Sequence, residues 1–437
     1  MFRQDIDAYL LNTAIHYGAT VRQNTNIKEI TIDQSGVQLE SVKGEKFNAR
    51  YIVDATGFRS LLADKFGLRE KPTRLKTQSR SIFTHMIDVP PYDDCVEPRG
   101  AHNMPVPWFN GTLHHIFDGG WLWVIPFNNH PTSINPLCSI GLQLDPRKFP
   151  KVPGVSPQQE FQDFLSRYPS MARQFKNAKA VRDWVSTERL QYSATKCVGY
   201  RFCLMSHATG FLDPLFSRGL ANTVEAINAF VPLLLKSLAD NDFSEERFAY
   251  VEALQQNTID HNDELVNGAY ISFRDFDLWN AWFRVWALSV SMGELRLTGM
   301  LRKYMRTHNE SILPDAIEPL GLFYNTHEDF HAFWKAVVAE IEAVDDNRIS
   351  TTEATQQIFR LLDKVNFAPP AMGFADPSQR YIHLQERSTL ARSMLWLLTS
   401  APREIRSYLF NPPPGPYAHR LTPLQIPTEV EASTSVA

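Results

Sequence analysis

The chain changes character near residue 244: strand-like segments crowd the part before it, and the part after it reads as helix to about residue 410. A chain ordered this way packs helices on sheets in one region and helices on helices in another, so the expected class is α/β plus α. Its 437 residues are enough for two or three domains. Asp5 to Tyr17 sets Ile6, Leu10, Leu11 and Ala14 on one helical stripe. Four strands are expected next, at Ala19–Arg22, Ile27–Ile32, Val37–Val42 and Lys46–Ala49, with turns at Asp33–Gly36 and Lys43–Gly44. Tyr51-Ile52-Val53 reads as a buried strand running into Asp54-Ala55-Thr56-Gly57. Further strands are expected at Ser81–Val89, Leu113–Asp118, Trp121–Pro126 and Ser139–Leu144. Ser156-Pro157-Gln158-Gln159 has the form of a capping box with proline at the first helical position, opening a helix through Tyr168. A short strand over Phe202–Met205 precedes a helix from Asn222 to Leu238. Asn411-Pro412-Pro413-Pro414-Gly415-Pro416 breaks structure, and the tail after it is expected to be disordered.

Charge and cysteine content exclude several classes. A net charge of −4 gives no electrostatic reason to expect nucleic acid or an anionic membrane as partner. No apolar run is long and clean enough to span a bilayer. Cys95, Cys138, Cys197 and Cys203 show no CxxC and no spacing with histidines that forms a zinc site. They read as reduced, mostly buried thiols of a cytoplasmic protein, with no metal expected. Aromatics make up 12% of the chain, with nine Trp and 28 Phe, which serves either a large core or a pocket for flat conjugated ligands.

Three segments carry chemistry. Asp54-Ala55-Thr56-Gly57-Phe58-Arg59 follows an apolar strand with small residues that let backbone approach a bulky ligand, although such a strand end is more often a plain turn. In Gly120-Trp121-Leu122-Trp123-Val124-Ile125-Pro126, residues two apart share a face of the strand, so Trp121 and Trp123 present their indoles together. Two core tryptophans fit the same spacing, but a buried indole N–H needs a partner. Gly210-Phe211-Leu212-Asp213-Pro214-Leu215-Phe216-Ser217-Arg218-Gly219 leads directly into a helix. The amides near Ser217, Arg218 and Gly219 then favour an anion, or serve an ordinary strand-turn-helix link. Downstream, Phe273, Phe276, Trp279, Trp282, Phe283 and Trp286 recur at spacings of three and four and form one wide helical stripe. Such a stripe is chiefly core, with one or two members free to reach a pocket.

Taken together, the segments resemble the flavin-dependent, tryptophan-halogenase-like halogenases from Arg3 to about Trp286. Trp-x-Trp-x-Ile-Pro at Trp121–Pro126 matches the family signature, and Asp54–Arg59 matches its second FAD motif. Gly210–Gly219 matches the flavin- and halide-side loop. Phe2-Arg3-Gln4-Asp5-Ile6-Asp7-Ala8-Tyr9-Leu10 is similar to the family segment that begins a helix after the nucleotide-binding half. Within the family, Asp277–Trp286 is similar to halogenases of cyanobacterial peptide pathways, of the aeruginosin and cyanopeptolin type. No G-x-G occurs anywhere in the chain. The resemblance therefore implies an FAD-dependent monooxygenase/halogenase-type (GR2-like) fold with the N-terminal Rossmann βαβ missing, and the family's catalytic lysine placed ahead of Arg3. Weak FAD binding is expected on the same ground.

The resemblance implies five regions: residues 1–77 as the remaining part of the FAD domain, 78–195 as a sheet-rich substrate and halide region, 196–243 as the returning FAD-domain strand, loop and helix, 244–410 as a helical region, and 411–437 as the tail. It implies that reduced FAD from a separate flavin reductase reacts with O2 and chloride, giving hypochlorous acid that passes to an electron-rich aromatic, free or carrier-linked. Arg3, Asp54, Thr56, Gly57, His207, Asp213 and Pro214 would contact the cofactor, and Ser217, Arg218 and Gly219 the halide. Trp121 and Trp123 would separate flavin from substrate, and Phe276, Trp279 and Trp282 would face the substrate. A phenol, tyrosine-like, is the preferred substrate class over an indole. A flavoprotein monooxygenase on the same scaffold, or a non-catalytic fragment, stands as the rival reading.

Overall fold

The computed structural model describes residues 2–96, 106–309, 328–379, 381 and 386–410. Helix α1 (Arg3–His16) forms where expected, but none of its side chains is buried. The apolar stripe there has no core to meet: Leu10, Leu11 and Ala14 are all exposed. The strand expected at Ala19–Arg22 does not form, and those residues are exposed irregular chain, with no strand pairing to them among the described residues. β1 (Ile27–Asp33), β2 (Gly36–Ser41) and β3 (Lys46–Ala49) make an antiparallel meander, with Ile30 and Val37 turned into the core. Asp33 shapes its first turn by accepting from the Ser35 amide at 2.7 Å and the Gly36 amide at 3.2 Å.

β4 (Ile52–Asp54) runs into α2 (Leu61–Lys65). β5 (Arg80–Ile87), β6 (Leu113–Phe117), β7 (Gly120–Pro126) and β8 (Cys138–Leu144) build a second sheet. α3 (Pro157–Leu165) and α4 (Pro169–Phe175) follow, then β9 (Lys179–Ala180) and β10 (Val185–Ser186). The sheet runs in the order β10-β5-β8-β7-β6, with β9 also on β5. Period-two alternation divides β7 cleanly. Leu122 and Val124 pack with Phe161, Phe164 and Met171 beneath α3 and α4, whereas Trp121 and Trp123 face the opposite core. The helix expected to reach Tyr168 stops at Leu165 and restarts at Pro169, since proline cannot continue the first helix's hydrogen bonding. At its start Ser156 accepts from the Gln159 amide at 3.2 Å.

β11 (Val198–Gly199) pairs antiparallel with β12 (Phe202–Leu204), which lies parallel to β4 with Leu204 opposite Asp54. α5 (Ser206–Thr209) and α6 (Gly219–Asp240) follow, the second starting three residues before the expected Asn222. α7 (Ala249–Ser272), α8 (Phe276–Thr307), α9 (Glu328–Asp345), α10 (Thr351–Asp363), α11 (Arg387–Thr399) and α12 (Arg403–Phe410) follow and pack on one another. Their core holds Trp282, Phe330, Trp334 and Val337 and reaches back to Trp121. The expected disordered tail, residues 411–437, lies outside the described residues.

One face of α6 carries Leu220, Val224, Ile227, Val231 and Leu235, each between 40% and 53% exposed. Beside it, β4 pairs only with β12 among the described residues, and Val53 is exposed. Among the described residues, no helix is long and apolar enough to cross a membrane, and no group of three or more His, Cys, Asp or Glu could hold a metal. The four cysteines are free thiols, three of them buried.

Candidate active site

Two adjacent parallel strands, β4 and β12, end side by side, and the crevice outside such carboxyl ends is where an open α/β sheet receives a ligand. Beyond β4, the Asp54 carboxylate accepts from the Thr56 amide at 2.9 Å, the Thr56 hydroxyl at 2.6 Å, the Ser60 hydroxyl at 2.7 Å and the Leu62 amide at 3.3 Å. Both its oxygens are therefore engaged in folding the turn onto the start of α2, where Ser60 caps the Ala63 amide. Gly57 sits in the left-handed region at φ 75°, with nothing within 4 Å of where a side chain would stand. That leaves Thr56 and Gly57 as the open part of the motif.

Beyond β12 stand Ser206 and His207. Arg69 clamps the two loops together, donating to the Ala208 carbonyl at 2.7 Å, the Gly57 carbonyl at 2.9 Å and the Phe58 carbonyl at 3.0 Å. Its guanidinium lies 4.7 Å from the Tyr192 ring centre, and Tyr192 donates to the His207 carbonyl at 2.7 Å. The His207 ring rests against the start of α6, with Nε2 3.2 Å from where a Gly219 side chain would begin. Burial and, second, the Arg3 charge hold His207 below its usual 6.5, which favours the neutral ring. Arg3 itself is exposed and paired with Asp7.

Asp213 is the hub of the next loop. It accepts from the Ser79 hydroxyl at 2.6 Å, the Tyr270 hydroxyl at 3.0 Å, the Leu215 amide at 3.0 Å and the Trp121 indole N–H at 3.2 Å. Burial pushes its carboxyl above the usual 3.8, while the four donors act in the other direction. Gln191 closes the network, donating to the Ser79 hydroxyl and the Leu212 carbonyl, both at 2.8 Å. Trp121 thus has the partner that a buried indole requires, and Trp123 finds one in the Ser139 hydroxyl at 3.2 Å. The two indoles stand 5.6 Å apart, centre to centre, inclined at 47°. Gly141, opposite Trp123 across β7 and β8, makes room for that ring: any side chain there would run into it. His114 packs 4.7 Å from Trp121 and is pushed by burial to about 4, so it stays neutral.

After Pro214 the backbone turns sharply. Phe216 and Ser217 are consecutive non-glycine residues in the left-handed region, at φ 66° and 54°. The Ser217 amide donates to the Pro214 carbonyl at 3.0 Å. α6 then begins without a side-chain cap, and its 22 residues leave the first-turn amides from Gly219 onward without intrahelical partners. A cleft joins these features, lined by His207, Phe211, Asp213, Phe216, Arg218 and Gly219 and running inward between α6 and α7.

The aromatic stripe divides. Trp279 lies 6.4 Å from Phe216, and Trp286, which the substrate set omitted, lies closer at 5.0 Å. Trp282 is fully buried, donates to the Leu265 carbonyl at 3.1 Å and packs 5.5 Å from Trp334, so it lines no part of the cleft. Phe276 is 58% exposed at the start of α8. Sequence reasoning missed Arg69, Ser79, Gln191 and Tyr270. None of these belongs to a local motif, so only the fold brings them to Asp213 and Gly57.

The family described as tryptophan halogenase matches residues 3–285. The chain is 47% identical over 420 residues to the monodechloroaminopyrrolnitrin halogenase PrnC of Pseudomonas fluorescens, covering 94% of this chain and 73% of that one. It is 44% identical over 415 residues to the tetracycline 7-halogenase of Kitasatospora aureofaciens, covering 93% of this chain and 74% of that one. Among solved structures, halogenase PltM in complex with phloroglucinol and FAD superposes with a TM-score of 0.82 at 35% identity, covering 87% of this chain and 76% of that one.

Proposed function

Because this chain belongs to the tryptophan halogenase family of flavin-dependent halogenases, we propose that it chlorinates a free, electron-rich aromatic of the phenol class with reduced FAD, O2 and chloride. A separate flavin reductase would supply the reduced FAD. The observation that carries the reading is the Trp121–Asp213 hydrogen bond. It ties the indole pair to the loop that opens on the uncapped start of α6, so wall and anion-favouring turn form one rigid unit.

The crevice fits a flavin on several counts. Gly57 and Gly219 keep backbone bare on either side of His207, and the loops bearing them are held in register by Arg69. Thr56, Gly57, Ser206 and His207 are the residues that would hold the cofactor, with Asp213 and Pro214 shaping the loop beside it. Bound there, reduced FAD supplies with O2 the oxidising power that makes chloride electrophilic.

This chain's own residues perform four tasks. With the Ser217 amide engaged by the Pro214 carbonyl, the amides of Arg218 and Gly219 hold the chloride by N–H dipoles at a helix N-terminus, without offering it an acidic proton. His207 stays neutral beside them and so adds no competing charge. Trp121 and Trp123 stand behind the Asp213 loop rather than in the cleft lining, and from there would back the cleft against water and help confine the electrophile until it meets the ring to be chlorinated. Phe216, with Trp279 and Trp286 packed against it at a tilt, offers an aromatic surface to a flat substrate.

The phenol class is supported by the phloroglucinol bound to PltM. The free state is supported by the names of PrnC and the tetracycline halogenase, which specify small molecules. The test supplies the protein with saturating FAD, a reductase and chloride, and offers phloroglucinol, tyrosine, tryptophan and a carrier-bound tyrosyl group in parallel. Chlorination of phloroglucinol ahead of the other three is expected. Chlorination confined to tryptophan or to the carrier-bound substrate would overturn the assignment.

A further inference from the structure

The turn proposed to hold chloride has a cation in its backbone stretch, yet that cation does not face the cleft mouth as an open charge. Arg218 is largely buried, and its guanidinium lies 3.7 Å from the carboxylate of Glu225, which is also buried. Glu225 sits two turns along the same helix, and both residues line the inner part of the cleft. Two residues of α7, Thr258 and Asn262, close that inner part; they are 5% and 3% exposed. The Thr258 hydroxyl and both side-chain polar atoms of Asn262 have no hydrogen-bond partner within the described protein. Buried polar groups need partners, so the pair makes the inner end of the cleft behind the turn polar.

We propose that Glu225 sets the halide affinity of the site by neutralising Arg218, leaving chloride to be held by backbone amides alone. The inference rests on the reading of Ser217–Gly219 as the halide turn. The physical reason is that a halide must be given up to oxidation in every cycle. A bare guanidinium beside it would hold it too tightly, while amide dipoles hold it weakly and fix its direction. Desolvation alone already disfavours the charged form of Arg218, and the Glu225 carboxylate opposes that effect. His261 is also close enough to feel Arg218, but burial holds it far below its usual value, to about 3, and it contributes no charge. The two acidic and basic groups therefore cancel across the first turns of α6.

Removing the negative member while keeping its shape unmasks Arg218. Glu225 lies six residues beyond Gly219, about 9 Å along the helix at 1.5 Å per residue. With an effective dielectric constant near 20 and some salt screening, loss of one charge at that range tightens anion binding roughly tenfold. The experiment is a chloride titration by chlorine-35 NMR line broadening on the unaltered chain, Glu225→Gln, Glu225→Asp and Arg218→Met/Glu225→Gln, each checked for folding by circular dichroism. This readout needs neither flavin nor turnover. Expected are measurable binding by the unaltered chain, about tenfold tighter binding by Glu225→Gln, parent-like binding by Glu225→Asp, and loss of the gain in the double variant. If the unaltered chain gives no specific broadening, the halide reading of the turn fails. If it does, but folded Glu225→Gln binds chloride equally or more weakly, the halide reading stands and the role of Glu225 is overturned. A gain that persists in the double variant also overturns it, because the charge unmasked would then not be that of Arg218.

Discussion

Replacing Trp121 by Phe separates the wall from the hydrogen-bonded hub behind it. The substitution removes the indole N–H that reaches Asp213 at 3.2 Å. A bond to a buried carboxylate contributes about 1.5–3 kcal/mol, and at that length the lower figure applies. Trp121 is 1% exposed, so the smaller ring also leaves a void. At about 24 cal/mol per Å³, roughly 40 Å³ of unfilled space costs about 1 kcal/mol. The sum is about 2.5 kcal/mol, to be read as a shift in the urea midpoint at constant slope. Tyr270→Phe is the matched control. It removes another donor to the same carboxylate, at 3.0 Å, and costs about 2 kcal/mol, but leaves both indoles in place. Each variant is then assayed for chlorinated product and for peroxide released per flavin oxidised. Trp121→Phe should lower the product-to-peroxide ratio severalfold, and Tyr270→Phe should leave it within about twofold of the parent. Equal loss in both would show that Asp213 alone matters. An unchanged ratio in folded Trp121→Phe would show that the indole is only core.

Three further outcomes are expected. Asp213 has its folded value raised above 3.8 by burial, so the folded state binds the proton more strongly, and stability falls as pH rises from about 4 through the folded value. In urea titrations the stability of the parent minus that of Asp213→Asn should therefore decline across this window, and an increase would contradict the burial argument. Gly141→Ala places a methyl group into the Trp123 ring, and should cost about 1–3 kcal/mol with a shifted tryptophan emission; a neutral effect would mean the ring has room to move. Arg69→Met removes three carbonyl contacts that join the Gly57 and His207 loops, and should weaken FAD binding about tenfold by flavin fluorescence titration. Unchanged affinity would show that the loops hold their places without it.

Local pattern made much of this fold legible. Period-two alternation located β7 and correctly put Trp121 and Trp123 on one face, because side-chain direction in a strand depends only on position. Helical spacing likewise located the α8 aromatics from Phe276 to Trp286, but Phe273, read as the first of the same stripe, instead ends α7, because Asp275 caps a new helix. What the pattern could not give was the partner of each face. The α1 stripe reads as amphipathic yet meets no core, and Trp282 carries the same spacing as Trp279 yet is sealed against Trp334. Asp54 reads as a ligand contact, but the Thr56 and Ser60 hydroxyls that occupy it are set by turn geometry. Asp213 belongs to a local motif, whereas its donors Ser79, Trp121 and Tyr270 come from three distant stretches of chain. Glu225 lies in an otherwise ordinary helix and gains meaning only from the guanidinium folded against it.

The most direct measurement of the central claim is the mass of the product formed under oxygen-18 gas with reduced FAD, chloride and phloroglucinol. A halogenase uses O2 as oxidant and transfers halogen to carbon. The product should then carry the chlorine isotope pattern, contain no oxygen-18, and disappear when chloride is withheld. A product carrying oxygen-18 and no chlorine, formed equally well without halide, would contradict the account and make this site that of a hydroxylating monooxygenase.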